Sequence, residues 1–344
     1  MKILKIALLL LLISVITAGI WGYKTYKEIY NSNVEFDNTE YKYLLIPSHS
    51  NFEDLLQIIS KDNFLVDIHS FKKVAKLKSF ENVKSGRYKV MNHMSNNALI
   101  GMLRIGDQTP VNITFNNIRT LSQLAGKISQ NLEIDSLDLA QYILDSKTQK
   151  KYGFQSTTFI SMFIANTYQV FWDISKESLI KRMATEYKQF WNKERKANAR
   201  KLGMSQSEVS TLASIVQLES LKKDEQPKIA GVYINRLKMG MPLQADPTVI
   251  FAIGDFSIKR VLKKHLQMDS PYNTYKNKGL PPGPIYLASP STIDAVLNYK
   301  THNYIYFCAK EDFSGYHSFA TNYRQHINNA RRYQRALNKR RIYK

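Results

Sequence analysis

One glutamate occupies a position where an unpaired carboxylate is costly. Glu219 lies near the end of the largely apolar stretch ASIVQLES (213–220), whose pattern predicts a helix over about 205–222. With about 3.6 residues per turn, Glu219 falls on the same face of this helix as Leu212 and Ile215. A carboxylate on a buried face must be paired or protonated. The residue is therefore a candidate for acid–base chemistry.

The residues alone leave two interpretations of Glu219 open. In the structural one, the buried carboxylate is satisfied by an arginine, for instance Arg236. In the functional one, desolvation raises its pKa, so that it holds a proton near neutral pH and acts as a general acid. Glycoside cleavage normally uses two carboxylates, and Asp246 is the candidate for the second. Asp246 could equally cap a turn or pair with Arg236.

Other elements must hold the Glu219 helix in place. Ser205 and Glu208 have the spacing of a capping box at the start of that helix, and Ser50 and Glu53 repeat the spacing upstream. The remaining predictions are strands at 41–47, 86–90 and 111–115, helices at about 68–78, 96–104 and 176–200, and two short amphipathic helices between 120 and 144. Strand–helix–helix–strand over 41–90 is the layout of a LysM-like sugar-binding module; a generic α/β packing unit is the alternative.

The N-terminus predicts a membrane anchor. Residues 6–23 carry no charge, and a helix of this length spans about 27 Å, close to the thickness of a bilayer core. Lys2 and Lys5 precede the apolar run and favour a cytoplasmic N-terminus. A cleaved signal peptide is the competing interpretation, but no clean A-x-A site follows. An uncleaved single-pass anchor would place the rest of the chain outside the cytoplasmic membrane.

Composition excludes several classes of protein. The 344 residues include 49 Lys and Arg against 28 Asp and Glu, a formal charge of +21, and 44% are hydrophobic. This profile is globular and excludes a wholly disordered chain. Cys308 is the single cysteine, so an intrachain disulfide and a Cys-rich zinc site are excluded. The seven histidines form no HExxH pair, so neither a metal nor another cofactor is expected.

The positive charge points to the membrane rather than to nucleic acid. An exported chain would not meet nucleic acid, which is therefore not an expected partner. The stretch 313–344 contains no Asp or Glu and reads as a basic helix. Such a helix is either simply solvated or lies against anionic lipid headgroups or wall polymer.

Four segments in order carry a family resemblance. After ASIVQLES come AGVYINRLKMGMPLQADPTVIFAIG (230–254), SPYNTYKNKGLPPGPI (270–285) and YIYFCAKEDFSGYHSFATNYRQH (304–326). This succession closely resembles the YceG-like family of endolytic murein transglycosylases over about 205–330. SGRYKV (85–90) and FIANTYQV (163–170) fit the same family more loosely.

The resemblance implies an inner-membrane-anchored enzyme that cuts peptidoglycan glycan strands internally, with Glu219 as its catalytic residue. Glu219 would protonate the oxygen between MurNAc and GlcNAc in nascent strands. Its carboxylate would then take the proton from the MurNAc 6-hydroxyl, which closes a 1,6-anhydro ring without a protein nucleophile. Many members have ASIVEKE, whereas Gln217 replaces the first glutamate here. The implied partners are membrane-bound glycan polymerases and transpeptidases.

Candidate substrate-binding groups come from the matching segments, which offer hydroxyl, amide, carboxylate and imidazole groups and flat aromatic faces for a sugar ring. These candidates are Ser220, Gln244, Asp246, Tyr272, Asn273, Tyr275, His317 and Asn322, with His326 a weaker one. The rigid turn GLPPGPI (279–285) is expected to act as scaffolding.

The sequence therefore predicts an α+β protein in three parts. Residues 1–29 hold the single transmembrane helix, 30–118 the LysM-like α/β module, and 119–344 a mixed α/β catalytic domain. Two other functions stay open: a membrane-tethered, non-catalytic peptidoglycan-binding scaffold, and a peptidoglycan hydrolase that uses Asp246 as nucleophile or base. A nucleic-acid binder rests on charge alone and would require a cytoplasmic C-terminus.

Overall fold

The computed structural model describes residues 2–341, which form a mixed α and β fold, as predicted. The chain divides into two compact units. The first comprises Met1–Asn112, Asn131–Glu133 and Gln169–Ile174. The second comprises Ile113–Gln130, Ile134–Tyr168 and Ser175–Lys344. The functional division between 30–118 and 119–344 stays a prediction.

The first unit packs helices on one face of a strand pair. Its elements are α1 (Lys2–Tyr30), β1 (Tyr41–Ile46), α2 (Phe52–Lys61), α3 (Ile68–Leu77), β2 (Gly86–Met91) and α4 (Asn96–Ile105). β1 and β2 are antiparallel, with Tyr41 opposite Met91. Alternate residues of the pair, such as Leu44 and Tyr88, are fully buried in the core of this unit. The predicted strand–helix–helix–strand order is present.

Helix α2 begins differently from the prediction. The expected capping box of Ser50 and Glu53 is wrong, because Asn51 caps the helix and Asp54 completes the box. The Asn51 Oδ1 accepts the Asp54 N–H at 3.0 Å, and the Asp54 carboxylate accepts the Asn51 N–H at 2.9 Å. Both spacings fit the same motif, and only the backbone conformation distinguishes them.

Helix α1 is long and apolar enough to cross a membrane. Its best window has a mean hydropathy of 2.6, and none of its residues is buried in the protein. Its C-terminal end contacts α3 and α4, where Lys73 pairs with Glu28 at 2.5 Å. The apolar side chains of α1 are therefore not covered by the protein and could contact another apolar environment.

The second unit is mainly helical. It starts within β3 (Val111–Thr114) and continues through α5 (Leu121–Ser129), α6 (Ser136–Leu144), α7 (Ser146–Lys151), β4 (Thr167–Val170), α8 (Lys176–Phe190), α9 (Lys193–Lys201), α10 (Gln206–Glu219), α11 (Gln226–Lys238), α12 (Asp246–Ile253), α13 (Pro290–Leu297), β5 (Tyr306–Ala309), β6 (His317–Ala320) and α14 (Tyr323–Lys339). Short 3₁₀ turns lie at Phe159–Met162 and His265–Gln267. β3 pairs with β4, and β5 is antiparallel to β6.

The single long helix predicted over 176–200 is wrong, because two helices occupy this stretch. The chain leaves α8 at Trp191, which is fully buried in the core of the second unit. Asn192 then starts α9 by accepting the Arg195 N–H at 2.9 Å. Neither glycine nor proline marks this break, so the apolar spacing alone suggested a continuous helix.

Helix α10 is the central element of the second unit. Val209, Leu212, Ile215 and Val216 are fully buried, and the helix packs against α11 and α13. The predicted capping box of Ser205 and Glu208 is confirmed. The predicted end near Lys222 is wrong, because the backbone becomes extended at Ser220. Glu219 is thus the last helical residue of a rigid, buried element.

Candidate active site

A pocket of about 440 Å³ opens at the C-terminal end of α10. Its walls come from α11, from the segment that leads into α12, from the β5–β6 hairpin and from the start of α14. The lining residues are Glu219, Tyr233, Arg236, Leu243, Gln244, Asp246, Tyr275, Tyr306, Phe307, Cys308, Ala309, His317, Tyr323 and His326. Most of its groups can exchange hydrogen bonds with a sugar.

Glu219 is a half-buried acid at this pocket. Burial raises the pKa of Glu219 from 4.5 to about 7, and the nearby Asp246 carboxylate contributes to this rise. A hydrogen bond from the Tyr233 hydroxyl to Glu219 Oε1, 2.8 Å long, and the charge of Arg236 oppose it. Near neutral pH the group therefore exists in comparable amounts as acid and as carboxylate. This is the condition for one residue to give and later take a proton.

Arg236 does not pair with Glu219. Its Nε donates to the Ile305 carbonyl at 2.7 Å and its Nη1 to the Leu243 carbonyl at 2.8 Å. Within residues 2–341, no cationic side chain comes within 4.0 Å of the Glu219 carboxylate. The structural interpretation, in which Arg236 pairs with the buried Glu219 carboxylate, is therefore not supported by the geometry. Arg236 instead fixes the backbone of two segments that form the pocket wall.

Asp246 and Tyr275 form a second polar pair in the pocket. The Tyr275 hydroxyl donates to Asp246 Oδ1 at 2.5 Å. Burial and the Asp246 carboxylate raise the pKa of Tyr275, so the phenol stays protonated at neutral pH. Asp246 itself is exposed and occupies the first position of α12. It pairs with a tyrosine and not with Arg236.

His317 is held by a buried carboxylate. Glu225, just before α11, is 6% exposed at its side chain and accepts both the His317 backbone N–H at 2.8 Å and Nδ1 at 2.7 Å. Since an ionised carboxylate only accepts, the Nδ1 atom carries the hydrogen. The ring is thus fixed with Nε2 directed away from Glu225.

Gln244 and His326 complete the polar lining. Gln244 has a left-handed backbone conformation with φ of 53°, which is uncommon outside glycine, and its Oε1 accepts from Arg236 at 3.3 Å. His326 stacks on Tyr306 with ring centroids 5.0 Å apart. Burial lowers the pKa of His326, so its imidazole is neutral near pH 7.

The structure brings together Glu219, Gln244, Asp246, Tyr275, His317 and His326 among the sequence candidates. Four other candidates lie outside the pocket lining. Asn273 is fully buried and donates to the carbonyls of Leu266 and Met268. The other three have structural contacts: Tyr272 packs on Phe251, Asn322 caps α14, and Ser220 is buried with its hydroxyl 3.4 Å from Glu225.

Sequence reasoning missed Tyr233, Glu225 and the aromatic residues of β5. Tyr233 and Arg236 are three positions apart on α11, so they share a face with each other. That spacing could have indicated a polar face opposite Glu219. Glu225 lies among the charged residues of LKKDEQPK (221–228), and nothing in that pattern marks it as buried.

Comparisons with known proteins identify relatives of this chain. The YceG-like family matches residues 44–332. An endolytic murein transglycosylase of Bacillus subtilis (strain 168) is 33% identical over 299 residues, which cover 81% of each chain. One of Streptococcus pneumoniae serotype 2 (strain D39 / NCTC 7466) is 28% identical over 337 residues, which cover 87% of this chain and 60% of the relative.

A solved structure shares the fold. The crystal structure of a YceG-like protein from Listeria monocytogenes superimposes with a TM-score of 0.56 at 27% sequence identity. The match covers 84% of this chain and 98% of the other chain.

Proposed function

The chain belongs to the YceG-like family, and we propose that it is an endolytic lytic transglycosylase of peptidoglycan with Glu219 as its single acid and base. The observation that carries this role is the chemical setting of Glu219. Its carboxyl group is half-buried at the end of α10, has no cation within 4.0 Å among the described residues, and has a pKa raised to about 7.

In the first step, protonated Glu219 donates its hydrogen to the oxygen that joins C1 of MurNAc to GlcNAc. The C1–O bond breaks, and its electron pair stays on the departing GlcNAc oxygen. The Glu219 carboxylate then accepts the proton of the MurNAc 6-hydroxyl as O6 bonds to C1. The products are a GlcNAc 4-hydroxyl and a 1,6-anhydro-MurNAc end, and Glu219 is protonated again. The nucleophile is tethered to the reacting carbon, so no second catalytic carboxylate is required.

Positive charge develops at C1 while the bond breaks, and the pocket offers negative potential to balance it. The exposed Asp246 carboxylate and the Glu219 carboxylate both face this space. The Tyr275 hydroxyl holds Asp246 in place. In this proposal Asp246 acts through its charge and forms no bond to the substrate.

We further propose a place for the protein at the wall. Helix α1 would cross the cytoplasmic membrane with its N-terminus inside, so that both compact units act on exported glycan. The strand–helix–helix–strand part of the first unit would serve as a LysM-like sugar-binding module. Membrane-bound cell-wall synthases are the proposed protein partners.

The basic helix α14 is the proposed contact with anionic membrane lipid. Its half-buried side, which includes Ile327 and Tyr333, packs toward β5 and β6. Arg324, Arg331 and Arg335 are exposed. Each cation near a negative lipid surface is worth about 1 kcal/mol, so several together bias the orientation of the protein.

The deciding experiment compares the protein with Glu219→Gln on purified sacculi and identifies the new ends by mass spectrometry. General acid–base catalysis contributes about 10²- to 10⁴-fold, so the variant should lose at least about a hundredfold in rate. It should still sediment with sacculi, because the amide keeps the shape of the side chain. Glu208→Gln, at the exposed start of the same helix, is the matched control and should stay active.

The alternatives give different results. Reducing ends in place of anhydro ends would indicate a hydrolase that uses Asp246. A wild-type protein that binds sacculi and leaves them uncut would indicate a non-catalytic scaffold.

A further inference from the structure

A second cleft, of about 430 Å³, adjoins the active-site pocket at His317, which lines both spaces. It lies between the start of α11, the β5–β6 hairpin and α14. Its lining residues are Asp224, Glu225, Lys228, Tyr304, Lys310, Tyr316, His317, Ser318, Phe319, Asn329 and Arg332. The two spaces therefore share His317 as part of their walls.

A cation lies on an aromatic surface in this cleft. The Lys228 ammonium is 4.0 Å from the ring centroid of Phe319 and 4.9 Å from that of Tyr304. Lys228 is half-buried, and no carboxylate among residues 2–341 lies within 4.0 Å of its Nζ. Because no carboxylate among these residues pairs with it, the ammonium can attract an anion. Burial and the neighbouring Lys300 lower the pKa of Lys228, and Glu225 opposes this shift.

The acidic groups of the cleft already have donors. Glu225 accepts two hydrogen bonds from His317, and Asp224 accepts one from the Tyr316 hydroxyl at 3.0 Å. Arg332 pairs with Glu311 at 3.2 Å. Lys228 and the exposed Lys310 remain without an ion-pair partner in the part of the chain that the structure describes.

We propose that this cleft is a substrate subsite for a muramic acid unit next to the cleaved bond, and that Lys228 pairs with a carboxylate carried by that sugar. The inference rests on the proposed function and adds to it a recognition group for the anionic substituent. An enzyme that cuts within a strand must hold sugar on both sides of the bond, and this cleft continues the polar surface of the Glu219 pocket beyond His317. Tyr304 and Phe319 lie under the Lys228 ammonium and hold it in the cleft, where it can meet an acid carried by a sugar.

The carboxylate has two chemical sources. One is the peptide stem, and the other is the lactyl group of the sugar, whose carboxylate becomes free when the stem is removed. Both present the same group to Lys228, so the experiment must vary the substrate to tell them apart.

The test measures binding separately from cleavage. In a Glu219→Gln background, Lys228→Gln should weaken the binding of soluble stem-bearing strands about two- to fivefold, as loss of one partly exposed ion pair predicts. Lys228→Arg should restore it. Lys238→Gln, at the exposed far end of the same helix, is the matched control. In the active enzyme, Lys228→Gln should raise KM by a similar factor with kcat nearly unchanged.

The second part of the test modifies the substrate. On strands whose carboxylates have been converted to amides, the Lys228→Gln variant and the protein that keeps Lys228 should bind equally. On strands stripped by an amidase, a lost difference assigns the stem carboxylate, and a persisting difference shows that the freed lactyl carboxylate also pairs with Lys228. The same weakening on amidated strands, or none on native strands, would overturn the subsite. These binding results hold whichever ends the active enzyme produces, so failure of the subsite and failure of the proposed function are distinguishable.

Discussion

The Tyr233 hydroxyl donates a 2.8 Å hydrogen bond to Glu219 Oε1, from α11 to the last residue of α10. Burial and the Glu219 carboxylate raise the pKa of Tyr233, so it remains a donor throughout the working range. The bond favours the ionised form of Glu219, whereas burial and Asp246 favour the protonated form. The proton affinity of Glu219, the proposed catalytic acid, is thus set by its burial and by opposing groups on α11 and α12.

Removal of the Tyr233 hydroxyl should make Glu219 a weaker acid. The wild-type rate is expected to fall above about pH 7, where Glu219 loses the proton that it donates in the proposed mechanism. Tyr233→Phe removes a hydrogen bond that lowers the pKa of Glu219, so the alkaline limb of kcat should move to higher pH. Tyr168→Phe, which removes a buried hydroxyl bonded to the Ile164 carbonyl, is the control. A limb that moves to lower pH in Tyr233→Phe would contradict the assignment.

Asp246→Asn should move the same limb in the opposite direction. The Asp246 carboxylate raises the pKa of Glu219, and the amide removes that negative charge. The alkaline limb should therefore shift to lower pH, with kcat reduced about tenfold, because one charge that balances the transition state is lost. The products should still carry 1,6-anhydro ends by mass spectrometry. Complete inactivity with a normal fold would instead indicate that Asp246 reacts covalently or as the base.

The helical face of Glu219 could be predicted from sequence because it depends only on spacing within one helix. The neighbours that determine its pKa lie on other elements, and spacing within a helix says nothing about them. Tyr233 lies fourteen positions further along the chain and reaches Glu219 only after α11 folds back on α10. Asn273 was predicted to bind a sugar because of its amide group. In the structure that amide donates its hydrogen bonds to backbone carbonyls instead.

The predicted helix boundaries were wrong where a capping side chain, and not the apolar pattern, determined where a helix begins. Asn51 replaced Ser50 as the start of α2, and Asn192 divided the predicted 176–200 helix. In both cases a side-chain oxygen satisfies backbone N–H groups that a continued helix would have bonded internally. Several residues near each position could have supplied such a cap, so sequence alone did not select one.

Glu219→Gln should stabilise the folded protein at alkaline pH. Between pH 4.5 and about 7 the folded protein retains a proton at Glu219 that the unfolded chain has released, so wild-type stability falls as the pH rises across this range. At about 1.4 kcal/mol for each tenfold change in proton affinity, the loss is at most about 3 kcal/mol and is reduced by solvent at the pocket mouth.

The glutamine side chain does not titrate and still accepts the Tyr233 hydrogen bond. At pH 8 the variant should therefore melt about 2–4 °C above the wild type, and at pH 4 the two should melt together. Calorimetry at both pH values provides the measurement. Equal melting temperatures at pH 8 would mean that burial does not disfavour the Glu219 carboxylate.

Glu225→Gln should change the orientation of the His317 ring without changing the pKa of Glu219. The amide can still accept the His317 backbone N–H, but its NH₂ group then faces Nδ1, which is also a donor. The ring must change tautomer or turn, and we expect a loss of about 1–3 kcal/mol in stability and about tenfold in kcat/KM. Glu225 does not contribute to the shift at Glu219, so the alkaline limb should stay where it is. Glu194→Gln, an exposed position on α9 away from both clefts, is the control. A displaced limb would show that Glu225 directly shifts the pKa of Glu219, the proposed catalytic acid. Unchanged kcat/KM would show that the orientation of His317 does not matter for turnover.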